Sequence, residues 1–255
     1  MSAPPAVAVF DLDGTLTRAD TFLAYLKFVL ARRAHRIGRC AGLPLAVAQF
    51  RCGMRSRDWL KQEFVRAVLG GCSRPEIDRW TQEFARRYGK QLLKPAAAET
   101  VRRHRSLGHR LIIATASVDA YAATLAEMWG IAETVSTRLE WQAGRLTGRL
   151  DGPNLRGEAK VAAVRHILGV EKNGRPEIFA YSDDHSDLPL LKFATHGFAV
   201  DPTRKLTACA EHENLKVLNW KRSGAVSAAG TGPIVSQNAV RGSSPPPGRR
   251  SRHAA

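Results

Sequence analysis

The stretch Val7-Ala8-Val9-Phe10-Asp11-Leu12-Asp13-Gly14-Thr15 constrains this chain most, because a short apolar run delivers two carboxylates onto a glycine turn. In an extended strand, residues i and i+2 point the same way, so Asp11 and Asp13 share one face at the strand's carboxyl end. Open α/β sheets place their ligands at that end. Two carboxylates aimed at one spot repel each other unless a cation lies between them or one keeps its proton. A hard, oxygen-seeking ion such as Mg2+ suits such a pair. Asp and Gly are also ordinary turn residues, so the motif takes its meaning from the rest of the chain.

Three further segments repeat the pattern of an apolar strand with a polar end. His109–Ser117 is a buried-strand pattern finishing in small hydroxyl residues, and a helix from Val118 to about Trp129 follows it, closed by Gly130. Ile178–Ser182 runs into the carboxylate cluster Asp183, Asp184 and Asp187, and Gly197–Asp201 is a third such strand. Between them, Lys160 opens the amphipathic run Lys160–Leu168. Strands alternating with helical stretches predict an α/β fold, with a parallel, Rossmann-like sheet covered by helices on both faces. The hydroxyl, the lysine and the carboxylates then gather at one edge of one sheet.

Length and composition agree with a globular enzyme-sized chain: 255 residues, 44% hydrophobic. Cys40, Cys52, Cys72 and Cys209 form no C-x-x-C pair, which points to a reducing compartment and away from a zinc site or disulfide framework. No basic region precedes the first strand, so a cleaved signal peptide is not expected. The net charge of +16 is unevenly placed: residues 18–105 carry +13, the tail from Lys221 onward carries +6, and the remainder is slightly acidic. The tail, residues 221–255, is rich in Gly, Ser, Ala and Pro and reads as disordered and basic. No specific nucleic-acid partner is expected from it.

In these residues the chain resembles the haloacid dehalogenase superfamily, in its phosphoserine phosphatase-like branch. The resemblance covers about residues 6–205 and includes four motifs in order: Asp11-Leu12-Asp13-Gly14-Thr15, then Thr115 at a strand end, then Lys160 at a helix start, then Asp183 with Asp187 four residues on. It implies a phosphatase with a Mg2+ cofactor and an aspartyl-phosphate intermediate. Asp11 would be the nucleophile and Asp13 the general acid and base. Mg2+ would sit on Asp11, the main-chain carbonyl of Asp13, and Asp183. Thr115, Ala116 and Lys160 would bind the substrate phosphate. Lys160 would also offset charge on the nucleophile, and Gly14, Thr15 and Asp187 would support the site. Asp184 and His185 lie in the same loop as candidate substrate contacts.

The resemblance also implies domain boundaries: a catalytic core of residues 1–17 and 96–220, with an inserted all-helical cap over 18–95. Helical spacing of apolar residues agrees in Phe22–Leu30, Trp59–Leu69 and Ile77–Tyr88. Within the cap, Ile37–Phe50 has two readings, a buried cap helix or a helical hairpin lying in an anionic lipid interface beside flanking arginines. It is too short and too interrupted by Arg39 to span a bilayer. The layout is similar to bacterial phosphatidylglycerophosphate phosphatases of this branch. A phosphoserine-like substrate would instead need an acidic partner for its amine, with Asp20 and Glu63 as the cap candidates. The expectation is therefore a hydrolase of small or lipid phosphomonoesters. A phosphotransferase using the same nucleophile and a non-catalytic phosphate-binding regulator are the alternatives. The expected location is cytoplasmic, with peripheral contact at the inner membrane face through the basic cap as a further option.

Overall fold

Strand β1 (Val7–Phe10) lies at the centre of a six-stranded parallel sheet in a computed structural model that describes residues 5–170 and 175–221. The other strands are β2 (Arg110–Val118), β3 (Glu133–Thr137), β6 (Ile178–Ser182), β7 (His196–Val200) and β8 (Lys216–Leu218), in the order β3-β2-β1-β6-β7-β8. The chain steps outward from β1 in one direction through β2 and β3, and in the other through β6, β7 and β8. The order thus reverses at β1, and a crevice opens beyond the carboxyl ends of β1, β2 and β6, where such sheets bind ligands. Pairing of Phe10 with Ile113 on one side and with Tyr181 on the other aligns those three strand ends.

The central strands are continuous apolar runs because both faces are covered. On one face Val7, Val9, Ile112, Ala114, Ile178 and Ala180 pack with Val161, Val164 and Leu168 of helix α7 (Glu158–Leu168), with Leu190 and Leu191 of α8 (Leu188–Phe193), and with Leu206 of α9 (Arg204–Ala210). On the other face Phe10, Tyr181 and Phe198 stack in a row, with centroids 4.8 and 4.6 Å apart. His104 of α5 (Pro95–Ser106) packs against that row, and α6 (Asp119–Met128) covers β2 and β3.

Between β1 and α5 the chain makes a helical excursion. It comprises α1 (Thr21–Arg32), a short 3-10 turn (Ala34–Cys40), α2 (Leu43–Arg51), α3 (Arg57–Val68) and α4 (Arg74–Leu92). The outgoing and returning chains run side by side: Thr17 bridges Leu93, and Lys94 N–H donates to the Leu16 carbonyl at 2.9 Å. Asp20 caps α1 and Ser56 caps α3, while Ser73 and Glu76 form a reciprocal capping box on α4 with Pro75 in its first turn. An aromatic cluster of Tyr25, Phe28, Phe84 and Tyr88 meets Tyr121 of α6 and joins the excursion to the core.

Two features depart from the sequence reading. Ile37–Phe50 is not one buried cap helix: it divides into the 3-10 turn and α2, and between them they bury only Ala46. The second is a hairpin, β4 (Leu139–Gln142) with β5 (Arg145–Leu150), that the sequence did not announce. It is stitched to the excursion by Gly71 N–H to the Leu146 carbonyl (2.7 Å) and Leu146 N–H to the Cys72 carbonyl (3.0 Å). The excursion's helices therefore share their layer with a piece of sheet drawn from beyond residue 95. All four cysteines are free thiols. No described helix is long and apolar enough to cross a membrane. The expectation of a disordered tail falls, from residue 222 onward, outside the described residues.

Candidate active site

The first carboxylate stands at the end of the central strand. Asp11 N–H donates to the Tyr181 carbonyl (2.9 Å), which continues the β1–β6 ladder by one residue and fixes the direction of the side chain. The chain then turns through Gly14 at φ +83°, a conformation that favours glycine. A Cβ at Gly14 would run into the Asp183 carboxylate, so this turn and the end of β6 touch. The Thr15 hydroxyl stands 3.2 Å from Asp11 Oδ2 and 3.1 Å from Asp183 Oδ1, and it accepts from Asp183 N–H at 3.0 Å. One hydroxyl proton cannot satisfy both carboxylates at once, so the pair is short of positive charge.

Lys160 supplies part of it. Its Nζ donates to Asp11 Oδ1 (2.8 Å) and Asp187 Oδ2 (2.6 Å), and only 2% of its side chain is exposed. Burial alone would pull this lysine down, but the Asp11 and Asp187 carboxylates outweigh it and hold the ammonium above its usual range. Ser182 Oγ donates to the same Asp187 oxygen at 2.7 Å. The other oxygen, Asp187 Oδ1, is buried without a hydrogen-bond partner among the described residues, an acceptor left over in the floor of the site. Burial raises Asp11, with Asp187 and Asp183 adding to the effect and Lys160 opposing it. Burial likewise pushes Asp183 up to about 6 against the Thr15 hydrogen bond.

The second motif carboxylate is held apart from that group. Asp13 Oδ1 accepts from both the N–H and the hydroxyl of Thr21 at 2.6 Å, and Oδ2 accepts from the Ser117 hydroxyl. Tyr121 joins Ser117 (2.8 Å) to Thr21 (3.0 Å) behind it. Burial is the main influence on Asp13 and raises it, against those hydrogen bonds. Asp11 thus stands beside a lysine at the strand end, while Asp13 is held separately in a buried niche of hydroxyl and N–H donors.

Asp11, Asp13, Lys160 and Asp187 form the floor of a cavity of about 470 Å3, with Asp183 and Thr15 behind its lining. Thr115, Ala116, Ser117, Lys160 and Asp187 line it together with Asp11 and Asp13, so the sequence-predicted phosphate-binding residues converge there. Asp184 also lines it, paired with Arg156 at 2.7 Å. The upper wall comes from the helical excursion: Phe22 of α1, Val47 and Phe50 of α2, and Leu60, Lys61 and Phe64 of α3. His185 opens the 3-10 turn ending at Asp187 and is not among the lining residues. Of the two acidic candidates in the excursion, Asp20 lines the cavity while its carboxylate caps α1, and Glu63 pairs with Arg66.

Ser117 bonds Asp13, while Thr115 Oγ1 accepts from Ser117 N–H at 2.9 Å. Thr21, Tyr121, Lys61 and Asn154 were not singled out. Thr21 and Tyr121 read as ordinary helix residues, and their convergence on Asp13 depends on the packing of α1 against α6. Among the described residues no group of three His, Cys, Asp or Glu side chains converges as a metal cage. The available ligands are the Asp11 and Asp183 carboxylates, together with main-chain oxygen.

Known proteins resemble the chain in sequence and in fold. The family model of haloacid dehalogenase-like hydrolases matches residues 8–192. Protein CicA of Caulobacter vibrioides is 33% identical over 198 residues, spanning 76% of this chain and 85% of that protein. A histidinol-phosphatase of Neisseria meningitidis is 26% identical over 221 residues, spanning 84% of this chain and 99% of the enzyme. Among solved structures, a protein of unknown function from Bordetella pertussis Tohama I superposes with a TM-score of 0.71 at 26% identity, covering 85% of this chain and 99% of that one. With the matched region running from β1 to α8 and taking in every residue of the cavity floor, the chain belongs to the haloacid dehalogenase-like hydrolases, as an enzyme of phosphatase type.

Proposed function

We propose that this chain is a Mg2+-dependent phosphomonoesterase that carries the phosphoryl group on Asp11. The observation behind this reading is the separation of two carboxylates in one cavity: Asp11 beside Lys160 and Asp183, and Asp13 in a niche of hydroxyls. Asp11 attacks phosphorus, and the bond from phosphorus to the alcohol oxygen breaks. Asp13, protonated, gives its proton to the departing oxygen. Asp13 then takes a proton from water, the resulting hydroxide attacks phosphorus, and the bond to Asp11 breaks to release phosphate. Thr115 and the 115–117 segment hold phosphoryl oxygens, and Lys160 offsets the charge shared by nucleophile and phosphate. Asp187 keeps Lys160 in place.

Mg2+ fits the donor set. Asp11, Asp183 and the main-chain carbonyl of Asp13 would hold it, and the orphaned Asp187 Oδ1 could accept from a water on it. Bound there, the ion would supply neutralisation of phosphoryl charge.

The alcohol part of the substrate has two candidates. A soluble ester is favoured by the histidinol-phosphatase relative, which spans nearly the same length. A lipid phosphate is favoured by Ile37, Leu45 and Met54, which are 66%, 64% and 69% exposed beside the arginines of the same excursion. In that reading the 34–57 elbow rests on an anionic membrane face. Phosphate release with Mg2+ should be measured on histidinol phosphate, phosphoserine and phosphatidylglycerophosphate in mixed micelles. Asp11→Asn is expected to lower turnover by a factor on the order of 10^3 or more with an unchanged melting temperature. Retained turnover in that variant would remove Asp11 as nucleophile.

A further inference from the structure

The excursion sends one cation to the floor of the cavity. Lys61, on α3, donates to the Ala116 carbonyl at 2.6 Å and also to Asn154 Oδ1. Both acceptors are neutral, and no carboxylate lies within ion-pair distance of its Nζ among the described ion pairs. The nearby Asp58 is occupied in accepting from Asn154 Nδ2 at 2.8 Å. An ammonium has three donors, so one remains beyond the two contacts, on a side chain that lines the cavity with Asp13 and Thr115. Burial pulls Lys61 down to about 8, with Asp58 and Asp13 acting the other way. Lys160 is the opposite case, already clasped by two carboxylates.

A half-buried cation held only by neutral acceptors has lost part of its hydration without an opposite charge in return, and gains from an incoming anion. The anion expected in this cavity is the phosphate dianion of the substrate, and Ala116 belongs to the segment that would receive it. We propose that Lys61 is a direct ligand of the substrate phosphate, supplied by the helical excursion and set opposite the core's Lys160. This deepens the phosphatase reading and rests on it.

The test uses the full-length protein with Mg2+ and inorganic phosphate as the probe. Lys61→Met removes the charge at nearly constant shape. It is expected to melt no lower than the parent without phosphate, and to lose the phosphate-induced rise in melting temperature. Its calorimetric phosphate Kd should rise by about tenfold or more, with KM rising more than kcat falls. Lys61→Arg should retain most of the affinity. Should Lys61→Met, which leaves the Ala116 and Asn154 oxygens only the shared Thr137 hydroxyl, fail to fold, Lys61→Gln keeps a second donor for one of them and should lose phosphate affinity in the same way. A folded neutral variant that binds phosphate as the parent does, with a lowered melting temperature, would reduce Lys61 to a stitch between α3 and the core. Activity of the parent and its loss in Asp11→Asn report separately on the phosphatase reading, so the two failures are distinguishable.

Discussion

At Gly14 a single missing carbon holds the site together. The residue turns at φ +83° between the two motif carboxylates, and its Cα faces the Asp183 carboxylate closely enough that any Cβ would displace it. Gly14→Ala therefore combines left-handed strain of about 1–2 kcal/mol with a forced shift of Asp183. The expected outcome is a modest fall in melting temperature, with activity requiring about tenfold more Mg2+, read by titrating phosphate release with the ion. Unchanged Mg2+ dependence would separate Asp183 from the metal. Asp11, Asp13, Lys160 and Asp183 were legible in the sequence because chemistry-bearing residues fall at strand ends and a helix start, where local pattern reveals position. Ser117, Thr21 and Tyr121 were not: Ser117 meets Asp13 across 104 residues, Thr21 reaches it only through the turn into α1, and Tyr121 joins through Ser117 and Thr21. Lys61 was hidden differently: on an amphipathic helix it looks like any solvated lysine, and only the fold places Ala116 and Asn154 within its reach.

Among the elements, α4 carries the junction between excursion and core. Thr81 donates to the Ala120 carbonyl at 2.7 Å, Trp129 Nε1 reaches back to the Gly89 carbonyl at 3.0 Å, and Phe84 packs among Tyr25, Phe28, Tyr88 and Tyr121. Tyr121 also belongs to the Asp13 network, so this packing bears on the niche of the second carboxylate. Phe84→Ala should cost about 3–5 kcal/mol of stability, measured by denaturant unfolding, with kcat falling in the variant that remains folded. A loss well under 1 kcal/mol would mean that the cluster does not hold the junction. The helices of this layer were legible because each buries one apolar stripe, as α1, α3 and α4 do. The β4–β5 hairpin was not: its strands are short and half-polar, its turn uses Ala143 and Gly144 at positive φ, and its partner is the chain near Cys72. Nothing local in Leu139–Leu150 encodes that partner. For Ile37–Phe50, read as either a buried cap helix or an interfacial hairpin, the buried-helix alternative does not hold, since its apolar residues face solvent and the cavity instead of a core.

For the molecule as a whole, charge and protons act at two ends of the sheet. Of the basic residues in the +13 segment 18–105, Arg51, Arg57 and Lys61 line a cavity whose floor is acidic, an arrangement suited to drawing in anions. Away from the cavity, His104 lies against the aromatic row, with its Nε2 2.9 Å from the Tyr181 hydroxyl and its Nδ1 2.9 Å from Nδ1 of His109. Burial pushes His104 down to about 4 from an ordinary 6.5, with His109 and then Arg103 adding to the effect. The folded state thus keeps His104 neutral where the unfolded chain would protonate it. Between those two values the unfolded state binds more protons, so this residue makes stability fall as pH drops from about 6.5 toward about 4. Above that window it has no such effect. His104→Gln keeps a polar contact for Tyr181 and removes the titration. It should melt lower than the parent at pH 7.5, yet lose less on acidification to pH 4.5, so that the two melting curves plotted against pH converge. Parallel curves would show that acid sensitivity arises elsewhere, and not in the raised carboxylates Asp11, Asp13 and Asp183, whose native state takes up protons first and so gains stability as pH falls.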